Sequence, residues 1–244
     1  MNTATEPLIG TAGWSVPRQD QEHFPGDGTH LQRYARVFSC VEINSTFHRR
    51  HLPGTFARWA ASVPGDFRFS LKMPRTITHD AGLVGTRDLV EDFLADITPL
   101  GDRADCLLVQ LPPRLEFAPA RARAYFSHLR ERFPRSIAVE PRHASWFSAG
   151  ADRLLGGFRI ARVAADPPRA PLGFEPGGWA GLAYFRLHGS PRIYYSSYAD
   201  AFLDALAARL DTLRKAGTPA WCIFDNTTLG AGTANGLSLM AAMQ

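Results

Sequence analysis

The sequence predicts an α/β fold: a (β/α)8 barrel of the TIM type, formed as a single domain over residues 1–244. Short apolar runs, typical of buried parallel strands, alternate with amphipathic helical patterns along the chain. There are eight such runs, whereas a doubly wound sheet, which stays possible, usually has fewer strands. The length of 244 residues is close to that of one barrel, and no linker-like segment divides the chain.

Most of the predicted strands are short and apolar, as expected for strands that helices cover. They are Leu8–Gly13, Cys40–Ser45, Phe67–Leu71, Cys106–Leu111, Ile137–Pro141, Arg159–Ala165, Leu182–His188 and Ala220–Asp225.

Helical patterns lie between the strands. Thr29 is a plausible N-cap for the first of them, and Gly217 is a plausible stop for the clearest. The Pro- and Gly-rich segment 167–181 predicts a loop or a poor helix. The predicted helices are Leu31–Phe38, Thr55–Ser62, Asp88–Ile97, Arg121–Phe133 and Asp200–Ala216, with a further helix after the eighth strand.

Polar or aromatic residues stand at or just past the C-terminal end of each apolar run. In a barrel these positions line the working face, so they locate a site without naming a reaction. They are Trp14, Asn44, Lys72, Gln110, Arg142, Asp166, His188 and Asn226.

The alternation of side chains along a strand predicts which residues face the barrel interior. Helices cover the outside, so the apolar face of each strand should point outward and the other face inward. This parity places Asp225 outward. It places inward Glu42, Asn44, Ser70, Lys72, Leu108, Gln110, Ala138, Glu140, Arg142, Arg162, Ala164, Asp166, Tyr184, Arg186, His188, Phe224 and Asn226.

The inward charges near the mouth balance in sign, and buried charges of this kind are expected to pair. The carboxylates are Glu42, Glu140 and Asp166, and the cations are Lys72, Arg142 and Arg186. A divalent metal held by the carboxylates and His188 is possible but disfavoured, because three cations oppose it. No cofactor is predicted.

Glycoside hydrolysis is also disfavoured, because it needs two carboxylates placed across a sugar bond. In many barrel glycosidases these are glutamates that end the fourth and seventh strands. Here those positions hold Gln110 and the Arg186/His188 pair.

The first functional hypothesis is an enzyme, or former enzyme, that acts on a small anionic or phosphorylated polar substrate by acid/base chemistry. Isomerase, lyase or phosphoester hydrolase chemistry would fit such a site. Lys72, Arg142 and Arg186, with His143 nearby, suit a phosphate or carboxylate. Backbone N–H groups of segments 188–190 and 226–233 could add a phosphate site, although their glycines and threonines could equally serve turns and helix caps.

Proton transfer in this hypothesis falls to His188, oriented by Asp166 or Glu140. Glu42 and Glu140 compete for the role of base, and His188 could instead be a structural histidine in the polar network. Glu42, Asn44, Gln110 and Asn226 would orient the substrate, and Trp14 could stack on a sugar or base.

Two alternatives remain open. A net charge of +4 and the segment His48-Arg49-Arg50-His51 allow a nucleic-acid or phosphodiester-binding module that uses the same mouth. The charges could also form a structural ion-pair network in a non-catalytic scaffold.

The three cysteines are far apart and lack metal-binding spacing, so buried free thiols in a cytoplasmic protein are expected. No apolar window is long enough to span a membrane. The sequence predicts no particular oligomeric state.

Several segments together resemble the DUF72 (YecE-like) family, over essentially the whole chain. They are Gly10–Trp14, Val41–Phe47, Phe67–Lys72, Gln110–Pro113, Glu140–Trp146 and Arg186–Gly189. The resemblance implies a TIM-barrel fold and brings no established reaction.

Two positions depart from the pattern of that family. His48 stands where Tyr is typical, and Asp225 where Asn is common. An inward Asp225 would weaken the phosphate prediction, because it would place a negative charge beside the proposed anion loop.

Overall fold

A computed structural model describes residues 6–171 and 173–244 as a mixed α/β fold built on two largely parallel sheets. The strands are β1 (Leu8–Thr11), β2 (Cys40–Ile43), β3 (Arg68–Lys72), β4 (Ala104–Gln110), β5 (Ser136–Glu140), β6 (Ala161–Arg162), β7 (Ala164–Asp166), β8 (Gly177–Gly178), β9 (Ala183–Leu187) and β10 (Ala220–Phe224).

One sheet has the order β1-β10-β9-β7 and the other the order β2-β3-β4-β5-β6-β8. All pairs are parallel except β6 with β8. The sheets approach each other at two places: a parallel bridge joins Ala12 to Glu42, and Val163 alone separates β6 from β7. The predicted sixth strand is therefore divided, with its first part on one sheet and its second part on the other.

Helices follow most of the strands, as the alternating pattern predicts. Thr29 caps the first helix through a reciprocal capping box with Gln32, and Gly217 follows the sixth helix with φ +70°, so both predicted boundaries are confirmed. The helices are α1 (His30–Tyr34), α2 (Pro53–Ala61), α3 (Arg87–Ile97), α4 (Pro119–Arg132), α5 (Ala149–Gly157), α6 (Asp200–Lys215) and α7 (Ala231–Ala242).

One helix, α5, is absent from the sequence prediction. It is short and contains Gly150, Gly156 and Gly157, which lower its helical propensity. The Ser148 hydroxyl caps its N-terminus, and burial of Ala151, Leu154 and Leu155 stabilises it. The described part of segment 167–181 forms turns and β8, as the composition predicts for a loop.

The inner faces of both sheets contribute to one small apolar cluster. It contains Cys40 and Leu108 from one sheet, and Tyr184, Trp221 and Ile223 from the other. A larger cluster lies between the strands and the surrounding helices. The polar site is built directly on the small inner cluster.

Gly10 permits the close approach of β1 to β2. A Cβ atom at this position would lie 2.2 Å from the carbonyl oxygen of Cys40, which is backbone and cannot move aside. A side chain here would force the two sheets apart at the end nearest the site.

All three cysteines are buried free thiols, as predicted. Within residues 6–171 and 173–244, no helix combines the length and the apolar character that crossing a membrane would require.

Candidate functional site

Arg186 on β9 is the centre of a buried ionic network. Its Nε and Nη2 atoms donate to Glu42 on β2 at 3.0 and 2.7 Å. Its Nη1 atom donates to Glu140 on β5 at 3.1 Å, and Nη2 also lies 3.1 Å from Asp225. Arg186 is 0% exposed. Its single guanidinium thus joins carboxylates from both sheets inside the protein. Its planar set of donors suits this role better than a lysine would.

A polar layer connects this network to the apolar interior below it. Tyr184 donates from its hydroxyl to Glu42 at 3.0 Å and shares a hydrogen bond of 2.9 Å with Ser70. Its ring stacks on Trp221. Every inward oxygen of this layer therefore has a partner, which is the condition for burying it at low cost.

His188 lies between two carboxylates. Its Nε2 atom is 2.8 Å from Glu140 and its Nδ1 atom is 2.9 Å from Asp225. Arg142 approaches the same Glu140 carboxylate at 2.5 Å and the imidazole Nε2 at 2.9 Å. The chain Asp225–His188–Glu140 can pass or hold a proton, because each neighbour is within hydrogen-bond reach.

The two outer carboxylates of this chain stay ionised. Burial alone would raise the pKa of Glu140, but Arg142, Arg186 and His188 together hold it well below the ordinary value. Burial likewise opposes ionisation of Asp225, and Arg186 with His188 lowers its pKa below the ordinary value. Both groups therefore act as hydrogen-bond acceptors near neutral pH.

Lys72 ends β3 at the edge of the network. It is 6% exposed, and its Nζ atom lies 4.3 Å from the centroid of the Phe47 ring. In the described part of the chain, no carboxylate forms an ion pair with it, although every neighbouring cation of the network is paired. Burial, with the charge of Arg186, lowers the pKa of Lys72 to about 8.

A cavity of about 510 Å³ opens at the carboxyl ends of the strands, above this network. Its walls are mostly basic or neutral, and Asp225 is the one carboxylate among them in the described residues. The lining residues are Asn44, Phe47, His48, Lys72, Arg75, His79, Gln110, Tyr194, Asp225, Thr227 and Thr228.

The structure confirms the predicted inward orientation on five strands, β2, β3, β4, β5 and β9. Glu42, Lys72, Glu140, Arg186 and His188 meet in the network or at the cavity. Asn44 and Gln110 line the cavity, and Gln110 donates to Glu140 at 3.2 Å. Arg142 and Arg186 are held by carboxylates beneath the cavity, so they lie behind the surface that a ligand would touch. The functional roles of these residues stay predictions.

The parity prediction is wrong on β10. Asp225, expected outward, faces the network and the cavity, whereas Asn226 turns away. Asn226 donates to the Ser196 carbonyl at 2.9 Å and to Asn235 at 3.0 Å, which ties a loop to α7. Trp221 and Ile223 point inward and Phe224 outward. Because β10 is apolar on both faces, its sequence does not define which face is inner.

The parity prediction is also wrong on the divided sixth strand. Val163 and Ala165 face inward, while Arg162 points outward to Asp152 of α5 at 2.8 Å. Asp166 accepts a hydrogen bond of 2.9 Å from the Tyr198 hydroxyl. Its carbonyl accepts from the His188 N–H at 2.8 Å, but its carboxylate does not contact the His188 imidazole; Asp225 occupies that place.

Two further predicted binding residues lie outside the cavity lining. Trp14 packs edge-on against Trp59 of α2, with ring centroids 4.9 Å apart. His143 caps the short helix 144–147 and shares a hydrogen bond of 2.8 Å with Ser145. Their sequence positions are near strand ends, but packing and capping account for both side chains.

Two backbone donors of the predicted phosphate loops are already occupied. The Gly189 N–H donates to the Tyr198 hydroxyl at 2.8 Å, and the Thr228 N–H donates to the Tyr194 carbonyl at 3.2 Å. Together with the inward Asp225, these hydrogen bonds leave fewer free donors in the two loops than the sequence suggests.

The sequence prediction missed three polar residues of the cavity, Asp225, Arg75 and His79. The departure of Asp225 from the Asn common in related sequences was the available signal for the first. Arg75 and His79 lie beyond the end of β3, in and beside the short helical turn Thr76–Asp80, where strand parity makes no prediction.

Within the described residues, no group of three or more His, Cys, Asp or Glu side chains is arranged to hold a metal ion. The carboxylates of the network are instead gathered around Arg186 and His188.

The fold and the site define a parallel α/β protein with a buried ionic network beneath a basic cavity at the strand ends. The chain belongs to the family described as protein of unknown function DUF72, whose model matches residues 8–244. This confirms the resemblance drawn from the motifs.

Related proteins agree with this assignment. The UPF0759 protein YecE of Escherichia coli K12 is 36% identical over 146 residues, which are 59% of this chain and 51% of that protein. The matched region thus spans about half the length of this curated relative.

Solved structures of the family have the same fold. A DUF72 family protein from Thermotoga maritima has a TM-score of 0.79 at 26% identity, with 97% of this chain and 98% of that chain covered. Another from Enterococcus faecalis has a TM-score of 0.80 at 20% identity, with coverages of 97% and 94%.

Proposed function

We propose that this protein is an enzyme that binds a small anionic or phosphorylated polar substrate in the cavity and acts on it by acid/base chemistry. The main support is the position of Lys72. It lies without an ion-pair partner among the described residues at the wall of a basic cavity, above the Asp225–His188–Glu140 chain. Isomerase or lyase chemistry fits better than hydrolysis, because the cavity offers a proton relay and cations.

The proposal includes a closed (β/α)8 barrel that forms one domain. Its support is the Ala12–Glu42 bridge, the passage of the chain from β6 to β7 at Val163, and the apolar cluster shared by both sheets. Closure would bring all eight strand ends around one opening. A cytoplasmic location is part of the same proposal and is supported by the three unpaired thiols.

Lys72 and Arg75 would hold the anion, with His48 and His79 beside them. Arg75 also pairs with Asp80 at 3.0 Å, but both side chains are about half exposed, so the anion would share Arg75 with that carboxylate. Asp225 would exchange the proton with the substrate, since it reaches the cavity. His188 is 0% exposed, so it would position Asp225 and buffer its charge instead of touching the substrate. Asn44 and Gln110 would orient polar groups of the substrate.

A structural role for the ionic network is the second candidate, because Arg186 is completely enclosed by carboxylates. This explains Arg186 well but leaves Lys72 without a purpose. A nucleic-acid partner receives less support: Arg50 forms a bidentate pair with Asp96 at 2.6 and 3.0 Å and is not free for phosphates.

The test measures the affinity of the protein for inorganic phosphate and for pyruvate. Calorimetry gives the dissociation constant, and the rise of the melting temperature with ligand concentration gives an independent measure. Lys72→Met and Arg75→Ala should each weaken binding about tenfold or more, since each removes a charge-assisted contact. Arg123→Ala, on the exposed side of α4, is the matched control and should bind normally.

The proposal would be refuted if neither anion bound saturably. It would also be refuted if the wild type and both cavity variants bound with equal affinity. For the acid/base step, His188→Gln should change the pH profile of any turnover found, whereas a structural histidine would change only the free energy of unfolding.

A further inference from the structure

Lysine is almost absent from this chain. Of the 27 basic Lys and Arg residues, only Lys72 and Lys215 are lysines, and the other 25 are arginines. Lys215 is exposed on α6 and pairs with Asp211 at 2.5 Å. Arginine therefore supplies nearly all of the positive charge. Among the described residues, Lys72 at the cavity wall is the one buried primary amine.

An amine differs from a guanidinium because it can lose its proton and become a nucleophile. Lys72 has the surroundings that this requires. It is buried, it rests on the Phe47 ring, and no described carboxylate holds its charge in an ion pair. With a pKa of about 8, roughly one molecule in ten carries the neutral amine at pH 7.

We propose that Lys72 forms an imine with a carbonyl group of the substrate. The inference rests on the proposed function and names its substrate class: a small aldehyde or ketone that also carries a carboxylate or phosphate. Arg75, with His48 and His79, would hold the anionic group, and the carbonyl carbon would lie at Lys72 Nζ.

The step balances without an oxidant or reductant. The neutral amine attacks the carbonyl carbon, a C–N bond forms, and the carbonyl oxygen takes up a proton to give a carbinolamine. The nitrogen loses one of its two protons in reaching the carbinolamine. Its lone pair then expels that oxygen as water, which takes up a second proton, and the product is the protonated imine.

Asp225 faces the same cavity and is backed by His188 at 2.9 Å, so this pair can supply and recover protons. The protonated imine withdraws electrons from the adjacent carbon. Asp225 could then remove a proton from that carbon, which is the step that isomerases and lyases of this kind need.

The experiment is reductive trapping on the full-length protein. The protein is incubated at pH 7 with pyruvate or with dihydroxyacetone phosphate in the presence of sodium cyanoborohydride, and modified peptides are identified by mass spectrometry. Lys215 is the internal control in the same molecule. Lys72 should be labelled at least tenfold faster than Lys215, and acetone, which lacks an anionic group, should label it more slowly than pyruvate does.

Lys72→Arg is the matched variant, because it keeps the positive charge and removes the nucleophile. It should lose labelling at position 72 and leave the slow labelling of Lys215 unchanged. No adduct on wild-type Lys72, or labelling no faster than at Lys215, would overturn the imine proposal.

The outcomes separate this inference from the proposed function. Phosphate or pyruvate binding without an adduct on Lys72 refutes the imine and leaves the anion site standing. An adduct on Lys72 that excess phosphate does not slow supports the nucleophile and counts against the anion site. An adduct that phosphate suppresses supports both.

Discussion

Replacing Lys72 with Met should make the protein more stable near neutral pH. Burial and Arg186 lower the pKa of Lys72 from 10.5 to about 8 in the folded state. Between these values the unfolded chain binds more protons than the folded one, so this group makes the free energy of unfolding rise with pH. Below pH 8 the charged amine therefore destabilises the fold.

The size of the effect follows from the same two pKa values. At about 1.4 kcal/mol per pKa unit, the charged amine lowers the free energy of unfolding by about 3 kcal/mol at pH 7. By pH 10 most of that penalty is gone, and about 1 kcal/mol is left. Methionine keeps most of the side-chain volume and removes the charge, so Lys72→Met should gain this stability at pH 7.

Urea unfolding at pH 7 and pH 10 measures the effect, with Lys215→Met as the matched control. Other groups also make stability depend on pH in this range, because burial raises the pKa of Tyr34 and Cys222 in the folded state above the values at which they ionise in the unfolded chain. The difference between the free energies of unfolding of the variant and the wild type, taken at each pH, cancels those contributions.

A Lys72→Met protein that is less stable than the wild type at pH 7, or a difference that is the same at both pH values, would refute the reasoning. The expected result would also explain why a destabilising residue is present: cavity residues are selected for function at some expense of stability.

The remaining predictions concern the network and its supports. Arg186→Met should lower the free energy of unfolding by about 3–5 kcal/mol at pH 7, because it leaves buried carboxylates without their common cation; unfolding in urea measures this. The pKa values of Glu140 and Asp225 are lowered in the folded state, so these carboxylates contribute stability that is present near neutral pH and lost as the pH falls below about 4. Asp225→Asn removes one of them, and its acid unfolding, followed by circular dichroism, should be shallower than that of the wild type. Tyr34→Phe removes the hydroxyl that accepts from the Thr11 N–H at 2.8 Å, and the free energy of unfolding should fall by about 1–3 kcal/mol; a loss near zero would mean that another acceptor replaces it.

The sequence alone determined the order of the main strands, most of the helices and most of the charged site. On β2, β3, β5 and β9, a polar side chain alternates with apolar ones, so only one orientation keeps the apolar face against the helices. Glu42, Lys72, Glu140, Arg186 and His188 were therefore located correctly, although no two of them lie on adjacent residues.

Only the tertiary structure decided which carboxylate completes the site. β10 is apolar on both faces, and the sixth predicted strand is interrupted at Val163, so alternation carries no information at their ends. The packing of Trp221 and Ile223 against the inner cluster turns Asp225 toward Arg186 and His188, and leaves Asn226 to hold a loop. Whether a charge is paired also depends on distances between strands remote in the chain, which is why the unpaired amine of Lys72 became visible only in three dimensions.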